Sequence, residues 1–264
     1  MVNQEAGLVR PGQRRDRIVA LLRERDRLSV EFLAGELAAS PETVRRDLAA
    51  LARSGVIRKF HGGASLPETE GEGAFQTRLS EHPQEKRAVA KRAATLFGPG
   101  DTLFVDTGTT TVVFAEELAR RSGLTVVTNS VTIAQLVGRG GNRAFLIGGE
   151  YRDEAVQTLG ALAVEQIGRF RADHAVLTVG AIEPAGVMDY DLGEAELARA
   201  MIAQAETVTV VADSSKLGRR GLFLVCPLAR IHRLVVDSMP VGNLAEALLG
   251  AGVEVIVAEP VREP

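Results

Sequence analysis

Three stretches of this chain carry side chains suited to holding an anion. In Ser40-Pro41-Glu42-Thr43-Val44-Arg45-Arg46, two adjacent arginines fall in the first turns of a well-signalled helix. They point about 100° apart, so one guanidinium is placed to reach a base edge and the other a phosphate. Asp106-Thr107-Gly108-Thr109-Thr110-Thr111 lies between an apolar, β-rich run and a helical pattern. Glycine there lets the backbone approach an anion, while N–H groups at the helix start and threonine hydroxyls donate to phosphate oxygens. Lys216, one of four lysines, follows Asp213-Ser214-Ser215 at the end of a later apolar run, and Asn129-Ser130 ends another. Each pattern has a plainer alternative: a solvated arginine face, a simple turn, a surface lysine.

The elements around the arginine pair favour recognition of nucleic acid. A first helix starts near Gly12, carries Arg14, Arg15 and Arg17 at its front and buries Ile18, Leu21 and Leu22. A second has Phe32, Leu33 and Leu37 as its stripe and Ser29 as its N-cap. The third opens at Ser40-Pro41-Glu42, where serine caps, proline fits the first helical position and glutamate suits the positive end of the dipole. Val44, Leu48 and Leu51 repeat at core spacing, so Pro41, Glu42, Thr43, Arg45 and Arg46 turn outward. Gly55 ends this helix. Val56–Phe60 then reads as a strand and His61-Gly62-Gly63-Ala64 as a turn and return, which places Arg58, Lys59 and His61 on a basic wing. The order predicts a winged helix-turn-helix whose third helix enters a major groove N-terminus first.

Beyond the polar, glycine-rich stretch 65–75 and a helix over Pro83–Phe97, the pattern changes. Apolar runs recur at Thr102–Val105, Leu124–Val127, Ala144–Ile147, Ala175–Val179, Val208–Val211, Leu234–Val236 and Val253–Val257. Helical stretches separate most of them, which predicts a mostly parallel, doubly wound sheet. Ligands in such sheets bind beyond the carboxyl ends of the strands, where the Thr/Gly run, Asn129-Ser130, Gly148-Gly149 and Lys216 fall. Tyr151 and Arg152, after Gly149, either line that pocket or belong to a surface loop.

Composition bounds the alternatives. The chain has 264 residues, 31 Lys and Arg against 34 Asp and Glu, and one cysteine. Cys226 alone excludes a disulfide framework and a multi-cysteine metal site. His61, His82, His174 and His232 lack metal-ligand spacing, so no metal or cofactor is expected. No apolar run approaches the ~18 residues of a membrane span, and Met1–Gly12 lacks the apolar stretch of a secretory signal, which points to the cytoplasm. The net charge of −3 hides an asymmetry: residues 1–66 hold twelve basic and eight acidic side chains, so the remainder is strongly acidic. A basic unit on an acidic one fits an anionic partner for the first.

SPETVRRDLAALARSGVIRKFHGGA (residues 40–64) resembles the signature of the DeoR family of bacterial transcription factors. The resemblance continues through DTGTTT (106–111), VTNS (127–130), GGEYR (148–152) and ADSSKLGRRG (212–221), covering about residues 12–257. It implies an α/β chain in three parts: a winged helix-turn-helix over 1–66, a linker over 67–82, and an effector domain over 83–264 resembling ribose-5-phosphate isomerase. By the same resemblance Thr107, Gly108, Thr109, Thr110 and Thr111, in the loop led by Asp106, hold a phosphate, with Asn129, Ser130 and Lys216 nearby. Asp189, Asp191 and Glu194 suit ligand hydroxyls, since carboxylates accept hydrogen bonds from polyols. GVMDYDLGEAELARAMI (186–202) is similar to the branch that senses glycerol 3-phosphate.

The expected protein is therefore an operator-binding repressor released by a phosphorylated sugar or polyol, paired as a homodimer or homotetramer because symmetric half-sites need paired readers. Two other classes compete. A sugar-phosphate isomerase would draw a base and an electrophile from Asp191, Glu194 and Lys216, but has no use for a basic recognition helix. A purely DNA-binding structural protein leaves the polar strand ends without a role.

Overall fold

The computed structural model describes residues 11–25, 27–53, 57–60, 62–65 and 73–260. The chain divides into two compact units, Met1–Glu70 and Gly71–Pro264.

The first unit contains α1 (Pro11–Arg25), β1 (Arg27–Ser29), α2 (Val30–Glu36), α3 (Pro41–Arg53), β2 (Arg58–Phe60) and β3 (Gly63–Ser65). Ile18, Leu22, Leu33, Val44 and Leu48 are fully buried together, and Ile57 and Ala64 of the β-hairpin join them. One core thus fastens three helices and the wing. The wing is a three-stranded antiparallel sheet in the order β1-β3-β2. Ser29 caps α2, its Oγ accepting from Phe32 N at 3.1 Å. A buried carboxylate locks the first and third helices. Asp47 of α3, only 2% exposed, accepts from Arg14 Nε at 2.5 Å and Arg15 Nε at 3.1 Å. Of the three arginines at the front of α1, Arg14 is therefore a buried strut and the half-exposed Arg15 a second partner of the same carboxylate.

The second unit begins with α4 (Phe75–Ser80) and α5 (Pro83–Ala94). The stretch expected as a linker, 67–82, thus contains a helix: Phe75 is an apolar anchor, buried against the core that α5 and α6 share. There follow β4 (Thr102–Val105), α6 (Thr109–Leu118), β5 (Thr125–Thr128), α7 (Val131–Arg139), β6 (Arg143–Leu146), β7 (Glu150–Arg152), β8 (Gln157–Leu159), α8 (Ala161–Ile167), β9 (Ala172–Leu177), β10 (Ala181–Glu183), β11 (Gly186–Asp189), α9 (Leu192–Ala203), β12 (Ala205–Val211), β13 (Phe223–Cys226), β14 (Arg233–Val236), α10 (Gly242–Gly250) and β15 (Glu254–Val257).

Seven of these strands form one parallel sheet in the order β15-β14-β12-β9-β4-β5-β6. Alternate residues along each strand feed opposite cores. Phe104, Val127, Ala175, Val210 and Leu234 pack with α8, α9 and α10, whereas Leu103, Val126, Val176, Val211 and Val235 pack with α5, α6 and α7. A sheet buried on both faces explains the continuous apolar runs of the sequence. Two short antiparallel sheets, β7-β8 and β10-β11-β13, are set between the main strands.

From β4 the chain winds through β5 to β6 on one side, then crosses to β9 and continues outward on the other. The order therefore reverses between β4 and β9, and a doubly wound sheet opens a crevice at that point. No helix among the described residues is long and apolar enough to cross a membrane.

Candidate functional site

In the first unit, Ser40 caps the candidate recognition helix: its Oγ accepts from Thr43 N at 3.2 Å and pairs with Thr43 Oγ1 at 2.8 Å. With Val44, Leu48 and Leu51 inward, Pro41, Glu42, Arg45 and Arg46 are exposed and Thr43 is half-buried. Arg45 lies 3.5 Å from Glu42 Oε2, an exposed pair one turn apart. Such pairs contribute little, so Arg45 can exchange the carboxylate for a phosphate or a base at small cost. Lys59 is exposed on β2. Of Arg58 only the backbone is described, and His61 lies outside the described residues. The N-terminal half of α3 thus presents two guanidiniums beside a capped helix start, as major-groove insertion requires.

In the second unit, a small, partly open cleft lies at the crevice between β4 and β9. Asp106 and Thr107 from the end of β4, Asn129 from the end of β5, and Thr178 and Val179 from the end of β9 form its floor. Gln157 of β8, Asp189 of β11, and Glu194, Leu197 and Ala198 of α9 form its walls, with Arg78 of α4.

Asp106 bridges the crevice, both carboxylate oxygens accepting from Thr178 N at 3.0 Å. Burial raises its pKa well above the ordinary 3.8, and the nearby charges of Asp189 and Glu194 push the same way against the Thr178 hydrogen bond. Because its folded pKa exceeds its unfolded one, the folded protein holds the extra proton in the window between them, and stability falls as pH rises through that window. Asp106→Asn should flatten this pH dependence. Denaturation midpoints of variant and parent from pH 4 upward check it, and parallel curves would refute it.

Gly108 presses on the same strand end. A Cβ there would lie 1.9 Å from Thr178 Cγ2, so this position excludes any side chain unless Thr178 moves. Lacking a side chain, Gly108 leaves α6 without a side-chain cap at the start of the Thr109-Thr110-Thr111 turn. Thr109, Thr110 and Thr111 are buried, and Thr111 Oγ1 donates to Gly108 O at 3.1 Å. The Thr107 hydroxyl and the Asn129 Oδ1 are buried without a hydrogen-bond partner among the described residues. Native proteins seldom leave such groups unsatisfied, so both fit donors and acceptors of a ligand. Asn129 is held in place: its Nδ2 donates to Gln157 Oε1 at 3.2 Å and to Thr158 O at 3.1 Å, and Gln157 Nε2 in turn donates to Glu194 Oε1 at 2.5 Å.

Of the residues expected from sequence, Asp106, Thr107, Asn129, Asp189 and Glu194 line this cleft, while Gly108 and the three threonines follow Thr107 as the start of α6 and are not among its lining residues. The others lie outside its lining. Ser130 is fully buried as the cap of α7, accepting from Ile133 N at 3.3 Å. Asp191 caps α9 through Glu194 N at 3.0 Å and pairs with Arg152 Nη1 at 2.8 Å. Gly149 and Tyr151 are exposed, and the Tyr151 hydroxyl donates to Asp153 at 3.1 Å. Lys216 ends the short 3-10 turn after β12 and is half-buried. Asp189 accepts from Tyr190 N at 2.6 Å and Asp191 N at 3.1 Å, which aligns it beside the α9 start.

Arg78, Gln157 and Thr178 were not expected. Gln157 and Arg78 sit on elements too short to leave a periodic pattern. Thr178, a polar residue inside the expected strand Ala175–Val179, was the available signal: polar strand ends mark crevices.

Residues 14–70 match the family described as "DeoR-like helix-turn-helix domain", and residues 81–238 that described as "DeoR C terminal sensor domain". The chain is 31% identical to the "HTH-type transcriptional repressor CsqR" of Escherichia coli (strain K12), over 93% of this chain and 95% of that one. It is likewise 31% identical to the "Glycerol-3-phosphate regulon repressor" of the same organism, over 89% and 94% respectively. Ribose 5-phosphate isomerase A from Methanocaldococcus jannaschii is a structural neighbour with a TM-score of 0.38 and 19% identity, covering 50% of this chain and 53% of that one.

Proposed function

Because the chain belongs to the DeoR family of transcriptional repressors, we propose that its cleft binds a phosphorylated sugar or polyol, best matched by glycerol 3-phosphate, and that this ligand releases the protein from operator DNA. The observation that carries the ligand class is the cleft floor. An uncapped helix start stands beside a partnerless hydroxyl and a partnerless carbonyl, at the switch point of a parallel sheet. N–H groups there suit phosphate oxygens, while Asp189, Glu194 and Asn129 suit the hydroxyls of a short polyol.

In this scheme Thr107 through Thr111 hold the phosphate, Asn129 and the two carboxylates orient the carbon chain, and Lys216 adds long-range positive charge. Arg45 and Arg46 read the operator, Ser40, Pro41, Glu42 and Thr43 form the leading edge of the helix, and the wing at Arg58, Lys59 and His61 follows the backbone. Ligand shifts the population toward a state of low operator affinity, which requires tighter ligand binding in that state than in the operator-bound one. Two copies on a symmetric operator give the pairing of readers.

The preference for glycerol 3-phosphate rests on the 186–202 segment and on relatives that carry that metabolite in their names. A relative of similar identity is named for the aga operon instead, so the ligand must be tested as a class. A thermal-shift panel of sugar and polyol phosphates against their unphosphorylated parents is the test. At least one ester should raise the melting point of the parent protein and leave Gly108→Ala unmoved; no shift with any ester would defeat the ligand class.

A further inference from the structure

We propose that the Arg78 guanidinium is a direct ligand of the effector's phosphate, so that helix α4 is part of the sensing site. This deepens the sensor function above and rests on it. The cleft is lined by three carboxylates, Asp106, Asp189 and Glu194, and Arg78 is the one cation among its described lining residues. A phosphate entering beside three acids is repelled unless a positive charge faces it. The buried, partnerless Asn129 Oδ1 and Thr107 hydroxyl mark the same space as a ligand site. A guanidinium offers phosphate two parallel N–H donors, which a lone helix start does not.

The helix that carries Arg78 is pinned from three directions. Phe75 is buried in the core shared with α5 and α6. Arg78 Nε donates to Gly73 O at 3.2 Å, tying the side chain to the segment that precedes its helix. Lys86 of α5, 2% exposed, turns its ammonium inward onto the carbonyls of Arg78 and Glu81, the latter at 2.8 Å. Those are carbonyls at the C-terminal end of α4, where a cation is favoured. Lys86 is thus a positioning residue for Arg78.

The test is calorimetric titration of the full chain with inorganic phosphate and with the panel of sugar and polyol phosphates. For the ester that binds the parent protein, Arg78→Gln should lose at least about tenfold in affinity, and Arg78→Lys, which keeps the charge but not the fork, should recover part of it. Thermal midpoints of the ligand-free variants separate lost contact from lost fold, and Arg78→Lys decides the matter if Arg78→Gln is unstable. Arg78→Gln or Arg78→Lys binding the ester as tightly as the parent, or equal losses in two stably folded variants, would overturn the role of Arg78 alone. Failure of the parent to bind any ester would overturn it together with the ligand class.

Discussion

Replacing Asp47 by alanine unfolds the amino-terminal unit while the carboxy-terminal unit stays intact. Asp47 is 2% exposed and is the shared partner of Arg14 and Arg15. Arg14 has only 11% of its side chain exposed, so without the carboxylate its charge is left in the interior. Removing one member of a buried pair costs about 3–5 kcal/mol, mostly because the remaining charge is uncompensated. A domain of this size rarely has more than about 3–5 kcal/mol in hand. The expected result is loss of operator binding and of about a third of the helical circular-dichroism signal, in proportion to the residues in α1, α2 and α3, with effector binding retained. Asp47→Asn keeps an acceptor and should lose less. A cooperative unfolding transition of the first unit at an unchanged denaturant midpoint in Asp47→Ala would contradict this.

The second large effect concerns the exposed arginines. Arg45 and Arg46 contribute nothing to the core, so their truncation leaves folding unchanged and acts on DNA alone. A guanidinium bidentate to a guanine is worth about 1–3 kcal/mol of discrimination, and a phosphate contact weakens all sequences alike. Each alanine variant should therefore lose roughly tenfold to a hundredfold in operator affinity. The two differ in kind. The base-reading arginine, once removed, relaxes specificity at one operator position. The phosphate-holding one lowers the salt dependence by about one ion. Affinity measured at several salt concentrations on operators mutated one pair at a time resolves them. If both variants bind like the parent, α3 is not the reading helix.

Much of the fold was legible because its signals are local. The capped start at Ser40-Pro41-Glu42 and the stripe Val44, Leu48 and Leu51 specify α3 without reference to the rest of the chain. The seven apolar runs marked the parallel strands within a few residues, since a sheet covered on both faces has no polar face to interrupt them. What escaped was three-residue strands and short helices. The β7-β8 and β10-β11 hairpins are too brief to show an alternation, yet they carry Gln157 and Asp189 to the cleft. The helix α4 was hidden because it is only six residues long and follows a polar, glycine-rich stretch, with Phe75 and Leu79 as its apolar anchors.

Polar strand ends were the informative feature for the ligand site, but sequence does not distinguish a polar residue that meets a ligand from one that caps a helix. Asn129 and Ser130 are neighbours of similar polarity. Asn129 lines the cleft and keeps a buried carbonyl unsatisfied among the described residues, while Ser130 satisfies Ile133 N. Asp189 and Asp191 divide in the same way, the first lining the cleft and the second capping α9. Strand register and helix entry separate these pairs, and both are set by contacts distant in sequence.

The decisive measurement is the affinity of the full chain for an operator, selected from random-sequence duplex DNA, with and without each member of a panel of phosphorylated sugars and polyols. Two anion receptors coupled through one chain predict sequence-specific, salt-dependent binding that at least one phosphate ester weakens about tenfold or more, while its unphosphorylated parent leaves it unchanged. A selection that enriches no sequence, or an enriched operator whose affinity no phosphate ester alters, would contradict the account.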